Sequence, residues 1–442
     1  MTLRTLPKLG LAGLLLVVGC TDAVPTFEDP SAIPVDAETV EILLPFSEFV
    51  DEFQVFAGFG SRADISPSLL ALEYEGELEA RTLVRFNSQP ASVQAIPTGE
   101  SDAVADSAYT PIGGRLVVRM DTVRFRPDAA VELDASVIEQ EWDFLTASWM
   151  AAVDTLGADS PWAEPGAGGG RGLGTATWDP AEGDSVVFQV DSLTATEWSD
   201  RSSGAIRSAR LGSRTPGVLL GVQSAIFRAD HRPSVDPDTV VSANAESIWS
   251  TVVYTPEPGV SEQEIRVGGG PARRAFLTLG IPTVLEEGSG ACQGVSACPV
   301  EVTPERLVYA GLVLRTRPVE PQAFMPLDTL GLDARTVLSP SRIPRSPLGS
   351  PVSVEPRPLA PQDFGPDGAR RIELPMTGYI AALLQDLLGE EEEGAEPISS
   401  TLALMSRQEP SGFSFASLVG PGQEGEPFLR LILTLSDGVQ LP

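Results

Sequence analysis

Three kinds of side chain here carry reactive or ligand-holding chemistry: thiols, clustered carboxylates and a concentrated set of indoles. Cys20 closes the run Val17-Val18-Gly19-Cys20, behind basic Arg4 and Lys8 and an uncharged apolar stretch from Leu9 to Val18. That stretch is too short for a permanent bilayer helix but has the length of a signal-peptide core. The pattern predicts that a diacylglyceryl group alkylates the Cys20 thiol. Small Gly19 lets a peptidase reach the bond, which leaves Cys20 as the modified first residue. Each buried acyl methylene contributes about 0.8 kcal/mol, so two or three chains anchor almost irreversibly. The alternative is an ordinary cleaved leader with a coincidental cysteine. Thr21, not an aspartate, follows, which points to the outer membrane of a diderm cell, on its periplasmic or surface face. No later segment reaches a spanning length of apolar residues, so the bilayer is met through lipid alone.

Cys292 and Cys298 share the small polar segment ACQGVSACP. In an exported chain they are expected to form a local disulfide. So short a loop gains about 2 kcal/mol, enough to clamp itself but not to hold a domain. Asp179, Glu182 and Asp184 in WDPAEGDS place carboxylates at alternating positions of a turn. Calcium takes about six to eight oxygens, so a structural calcium site is one reading of them. Asp230, Asp236 and Asp238 make a second such cluster. Solvated acidic turns are the plainer reading, since a chain with 61 acids throws up such clusters by chance. Trp142, Trp149, Trp162 and Trp178 offer indole faces that could stack on the apolar faces of sugar rings. Packing is their plainer role, because a buried tryptophan hides much apolar area.

Catalytic constellations fare poorly. His231 is the single histidine, which rules out zinc sites built on several imidazoles. A Ser-His-Asp triad would have to use it, between Asp230 and Arg232, and no G-x-S-x-G elbow supports one. The glycine-rich Pro165 to Gly172 lacks the G-K-[ST] of a phosphate loop and reads as a turn. A glycosidase needs only two carboxylates, and nothing in the sequence selects a pair.

The chain of 442 residues carries a formal charge of −31, and losing Arg4 and Lys8 with a leader would make it more negative still. Such a surface repels nucleic acid, so no nucleic-acid partner is expected. Glycine and proline are spread among short Val- and Leu-rich runs, the composition of many strands joined by turns. Strand-like runs are Thr82–Phe86, Arg115–Met120, Val186–Val190, Gly217–Gln223 and Ala225–Ala229 in the first half. The second half has Ser250–Tyr254, Phe276–Leu279, Leu312–Arg315, Thr401–Ser406 and Phe428–Leu435. In Arg115–Met120, Leu116, Val118 and Met120 share one face and the arginines the other, the period of a half-buried antiparallel strand. Leu429, Leu431, Leu433 and Leu435 alternate likewise. One helix is predicted, with Ile380, Leu383, Leu384, Leu387 and Leu388 at helical spacing, Thr377 as a cap and Gly389 as its end. The Glu390 to Glu393 run beyond it reads as a solvated loop.

The halves look like a divergent repeat. Phe53 to Arg62 and Glu79 to Phe86 echo Ile265 to Leu279, and Arg115 to Thr122 echoes Gly311 to Pro318. The expected plan is a signal peptide (1–19), a lipidated tether (20–36) and two tandem antiparallel β-sandwich domains of the jelly-roll kind, 37–240 and 241–442. The second carries the short amphipathic helix.

The order GxG, ARTLVRF, RLVVRM, EWDFLTASW, PW, GTATWDP, VVFQV resembles the DNRLRE-type domain, a jelly-roll module related to carbohydrate-binding modules. Glu141-Trp142-Asp143, Thr146-Ala147-Ser148-Trp149 and Pro161-Trp162 resemble that family's tryptophan-rich stretch. GYIAALLQDLLG and the following TLALMSRQEPSGFSFAS look like its late helix and strand. The resemblance implies a non-catalytic binding or structural module on a secreted protein, with polysaccharide or an envelope protein as partner. A carboxylate-dependent polysaccharide-active enzyme and a scaffold subunit of an envelope complex are the alternatives.

Overall fold

The computed structural model describes residues 38–56, 68–76, 78–155, 158–255, 263–269, 273–293, 295, 297–343, 346–353, 355–389, 397–407, 409 and 413–435. The leader, Cys20, the tether and the glutamate run after Gly389 lie outside these. Strands hold 50% of residues and helices 10%, and the sheets are antiparallel, so the fold is mainly β and sandwich-like as expected.

One nine-stranded sheet takes up most of residues 68–254. Its logic is the period of two. In Thr110–Met120, Leu116, Val118 and Met120 are buried, while Arg119 reaches outward to Asp184 at 2.6 Å and Arg115 to Asp230 at 3.7 Å. Ser185–Val190 pairs with it and sinks Val186, Phe188 and Val190 into the same core. The two runs from Gly217 to Ala229 join into one long strand, Leu219–Arg232, which bends at a register shift between Val222 and Ser224. The sheet curls because Ser68–Tyr74 pairs with both Leu219–Arg232 and Leu78–Phe86. A helix absent from the sequence reading, Ser192–Ser199, plugs one end. Asp191 caps it by accepting a hydrogen bond from the Thr194 amide at 2.7 Å, and Ala195 and Trp198 enter the core. Eight residues with apolar side chains at only a few positions give too weak a pattern to read.

A second core lies between two smaller sheets. The first orders Glu38–Pro45, Phe428–Leu435, Leu307–Arg315 and Arg371–Pro375. The other orders Val50–Phe56, Arg274–Leu279, Thr401–Ser406, Leu330–Val337 and Leu348–Pro351. Leu429, Leu431 and Leu433 are fully buried among Ile42, Leu44, Leu312 and Leu404. The predicted helix is Thr377–Leu388, ended by Gly389 in the left-handed conformation at φ 70°. Ile380, Leu383 and Leu384 pack inward, but Leu387 and Leu388 in the last turn are exposed. Thr377 is not the cap. Its hydroxyl instead accepts from the Ala310 amide at 3.0 Å and ties the helix to the neighbouring strand.

Strand pairing is nested. Glu38–Pro45 pairs with Phe428–Leu435, and Val50–Phe56 pairs with Arg274–Leu279. A division at residue 240 would also part Leu219–Arg232 from Val241–Tyr254, which pair from Ile226 to His231. The repeat-like strings around Phe53 and Phe276 are therefore neighbouring strands of one sheet. Leu69, Ala71, Val252 and Tyr254 extend the second core into the nine-stranded sheet. Cys292 and Cys298 form a disulfide, their Cα atoms 6.0 Å apart. Glu48 accepts from the Gly290 amide at 2.7 Å and pins that loop.

Candidate functional site

Leu78–Phe86 and Val241–Tyr254 run side by side, with Arg85 opposite Trp249. Alternation in the second strand buries Ala243 and Ala245, then fails: the register shifts between Ser247 and Trp249. A bulge re-aims side chains, and here Ile248 and Trp249 both meet solvent, Trp249 with 40% of its surface. Phe144 lies nearly parallel to the Trp249 ring, centroids 4.8 Å apart at 11°. The Arg85 guanidinium stands 5.5 Å from the Trp249 ring and 5.2 Å from that of Trp142. It donates to the Trp142 carbonyl at 3.1 Å and pairs with Glu141 at 2.7 Å. Such cation–π contacts are worth about 0.5–1 kcal/mol each at exposed positions, enough to fix a rotamer.

Beside Trp249 opens a groove of about 290 Å³, near the lower bound of small-ligand sites. Its far wall is the loop from Arg201 to Arg207. Arg207 donates to the Asp200 carbonyl at 2.6 and 3.1 Å and to that of Ser202 at 3.1 Å, so its charge braces the loop without meeting a carboxylate. Burial pulls its pKa below the ordinary arginine value, and the like charge of Arg85 adds to this, while Asp200 opposes both. Arg201 donates to the Ala91 carbonyl at 3.0 Å and lies 5.6 Å over the Tyr109 ring. Asn87, Ser88, Ser202 and Ser203 supply neutral donors and acceptors, and no Asp or Glu lines the groove.

The four tryptophans singled out in the sequence do not build this site or any open platform. Trp142 and Trp162 are buried in a third, small core with Leu83, Ala152 and Val253 on the outer side of the same two strands. Trp142 Nε1 donates to Ser208 Oγ at 3.1 Å, and Trp162 Nε1 to the Ser148 carbonyl at 2.8 Å. Trp149 is half-buried between the Arg81 guanidinium, 4.7 Å from its ring, and the glycine-rich turn. Gly166 sits there at φ +69°, where a Cβ would stand 2.7 Å from the indole, so the glycines serve close approach. Trp178 is buried in the main core and donates to the Gly183 carbonyl at 3.0 Å.

Of the carboxylate clusters, Asp179, Asp184, Asp230 and Asp236 are engaged elsewhere. Asp184 pairs with Arg119, and the hydrogen bonds from that arginine and from Ser185 hold its carboxyl below the usual range. Asp179 accepts from the Ala181 amide at 2.8 Å, shaping the turn between Gly172–Trp178 and Ser185–Val190. Asp230 accepts from Ser242 Oγ and Asp236 from Thr239 Oγ1. Among the described residues no three His, Cys, Asp or Glu side chains are placed to hold a metal ion. His231 is fully buried against Tyr109, centroids 4.5 Å apart, with no hydrogen bond to either ring nitrogen. Burial lowers its pKa, and it is neither oriented by Asp230 nor set on a serine.

Sequence reasoning passed over Trp249. The signal available was the adjacent apolar pair Ile248-Trp249 interrupting a run that otherwise alternates. No protein-family model matches this chain, and a search of curated proteins finds none similar to it.

Proposed function

We propose that this protein is a membrane-anchored extracytoplasmic lipoprotein whose sandwich-like body binds polysaccharide without catalysis, at the groove beside Trp249. The observation that carries this reading is Trp249 itself: a large indole left 40% exposed, held in place by Phe144 and Arg85 at the mouth of a polar groove. The apolar face of a pyranose packs on exposed aromatic surface, and its hydroxyls match the Asn87, Ser88, Ser202 and Ser203 side chains around it. The groove lining lacks the facing carboxylates that glycoside hydrolysis needs, about 5 to 10 Å apart. A jelly-roll arrangement of the DNRLRE type would suit this role, and the antiparallel, sandwich-like sheets accord with it.

Anchorage rests on the Cys20 segment. Among the described residues no helix is long and apolar enough to cross a membrane. Cells given a labelled fatty acid are expected to incorporate it into the protein and not into a Cys20→Ala variant; equal labelling would remove the lipid from this reading. For the ligand, a glycan array probed with residues 21–442, with and without calcium, is expected to show saturable binding that Trp249→Ala abolishes. Silence across neutral and acidic polysaccharides would transfer the groove to a protein partner or a scaffolding role.

A further inference from the structure

We infer that the groove selects glycans bearing isolated carboxylates, such as uronic-acid residues. The sugar carboxylate meets Arg201 in the field of Arg85 and Arg207, and a neighbouring ring lies against Trp249. This rests on the polysaccharide reading above and names its ligand class.

The charge inventory carries the step. Acids outnumber Lys and Arg 61 to 30, and many arginines elsewhere pair with them, Arg81 with Glu79, Arg119 with Asp184, Arg171 with Glu197 and Arg210 with Asp134, while others, such as Arg228 on Asn244 and Arg357 on the Glu373 carbonyl, do not. At the groove three arginines come together with few such pairs. Among the described residues Arg201 and Arg207 have no carboxylate partner, and Arg85 has only Glu141, whose side chain is 64% exposed. Three guanidinium groups thus converge on one groove, with exposed Glu141 as the ion-pair partner of Arg85 and Asp200 acting on Arg207 only at longer range. Their concentration around one groove is the feature that matters, and an anion is what they fit.

Their division of labour points the same way. Arg207 is spent on backbone carbonyls and acts as a fixed charge, whereas exposed Arg201 uses one nitrogen on Ala91 and keeps its remaining N–H groups for a ligand. A planar fork of donors suits a carboxylate. Because the loop is already braced, little ordering remains to oppose binding. The net charge of −31 sets the density of the ligand's own charge. Beyond about 8 Å at physiological salt the body's repulsion is screened, so a single carboxylate feels mainly the arginines. A densely sulfated chain extends past the groove and meets the acidic surface.

The test uses the full chain in detergent, titrated calorimetrically with galacturonic, mannuronic and glucuronic acid oligosaccharides and with their carboxyl-reduced counterparts. At least one acidic series is expected to bind about tenfold more tightly than its reduced form. Arg201→Gln, an exposed substitution checked for an unchanged unfolding temperature, is expected to erase that difference between acidic and reduced sugars, whatever it does to the affinity common to both. Equal affinity for charged and reduced sugars would overturn the carboxylate selection and leave polysaccharide binding standing. Absence of binding by every acidic series would overturn it too, and the neutral sugars of the array then decide the broader reading separately. Equal or tighter binding of an oligo-glutamate peptide, or of a heavily sulfated glycan, would also sink it.

Discussion

The strands Leu78–Phe86 and Val241–Tyr254 carry two tryptophan–arginine arrangements that differ in one respect: one is roofed and the other is open. Arg81 lies over Trp149 beneath the glycine-rich turn, beside buried Trp142 and Trp162. Arg85, four residues on, lies by Trp249, where Phe144 stacks on one side but the indole keeps 40% of its surface in contact with water. The same pair of residue types thus serves packing in one place and offers a surface in the other. What separates them is the cover and not the chemistry of the ring.

The largest break in this comparison should come from Trp142→Ala. Emptying that buried site is expected to cost about 3–5 kcal/mol, seen as a large fall in the urea midpoint, whereas Trp249→Ala should cost under about 1 kcal/mol. Similar losses at both positions would mean that Trp249 is structural and the contrast is false. Next comes Gly166→Ala, which sets a methyl group 2.7 Å from the Trp149 ring at a left-handed backbone position. A loss of about 1–3 kcal/mol is expected, with increased Trp149 fluorescence quenching by acrylamide as the roof lifts. Unchanged quenching would show that the turn does not cover the ring.

The smallest effect concerns the wall behind Arg201, where Tyr109 covers His231. Burial lowers the folded-state pKa of His231 below its ordinary value of 6.5. Its contribution is therefore intact above about pH 6.5 and is lost as pH falls below that, because the unfolded chain takes the proton first. Urea midpoints of the parent should fall relative to those of His231→Phe between pH 6.5 and 5. Parallel curves would indicate a wall that admits water or a counter-charge.

Much of the fold was legible because alternation and helical spacing are local. Thr401–Ser406 and Phe428–Leu435 match the strands read from sequence, as does the helix ended at Gly389. Nesting was not legible, since Glu38–Pro45 finds its partner nearly the whole chain away and no local pattern encodes that choice. Thr377 had the residue type of a cap, but tertiary contact with Ala310 took its hydroxyl. Of the candidate site, tryptophan was legible as a residue type but Trp249 was not. Tryptophans stood out and the groove arginines did not, and whether an indole is roofed depends on a turn elsewhere in the chain, as Gly166 over Trp149 shows. Exposure of Trp249 depends on a one-residue bulge, which leaves only a lapse in alternation to read.

The pairing of Glu38–Pro45 with Phe428–Leu435, from Glu38 opposite Leu435 to Pro45 opposite Phe428, sets an order of assembly during synthesis. The nine-stranded sheet has all its strands by Tyr254, so it can close while the ribosome is still working. The first strand made must wait, an unpaired edge, until nearly the last one arrives. Chains arrested before residue 428 should resist protease over 68–254 yet be clipped near 38–45, and equal protection of both stretches would mean that another strand stands in. An early-finished nine-stranded sheet and a late-sealed second core would let the groove beside Trp249 form before Glu38–Pro45 has its partner.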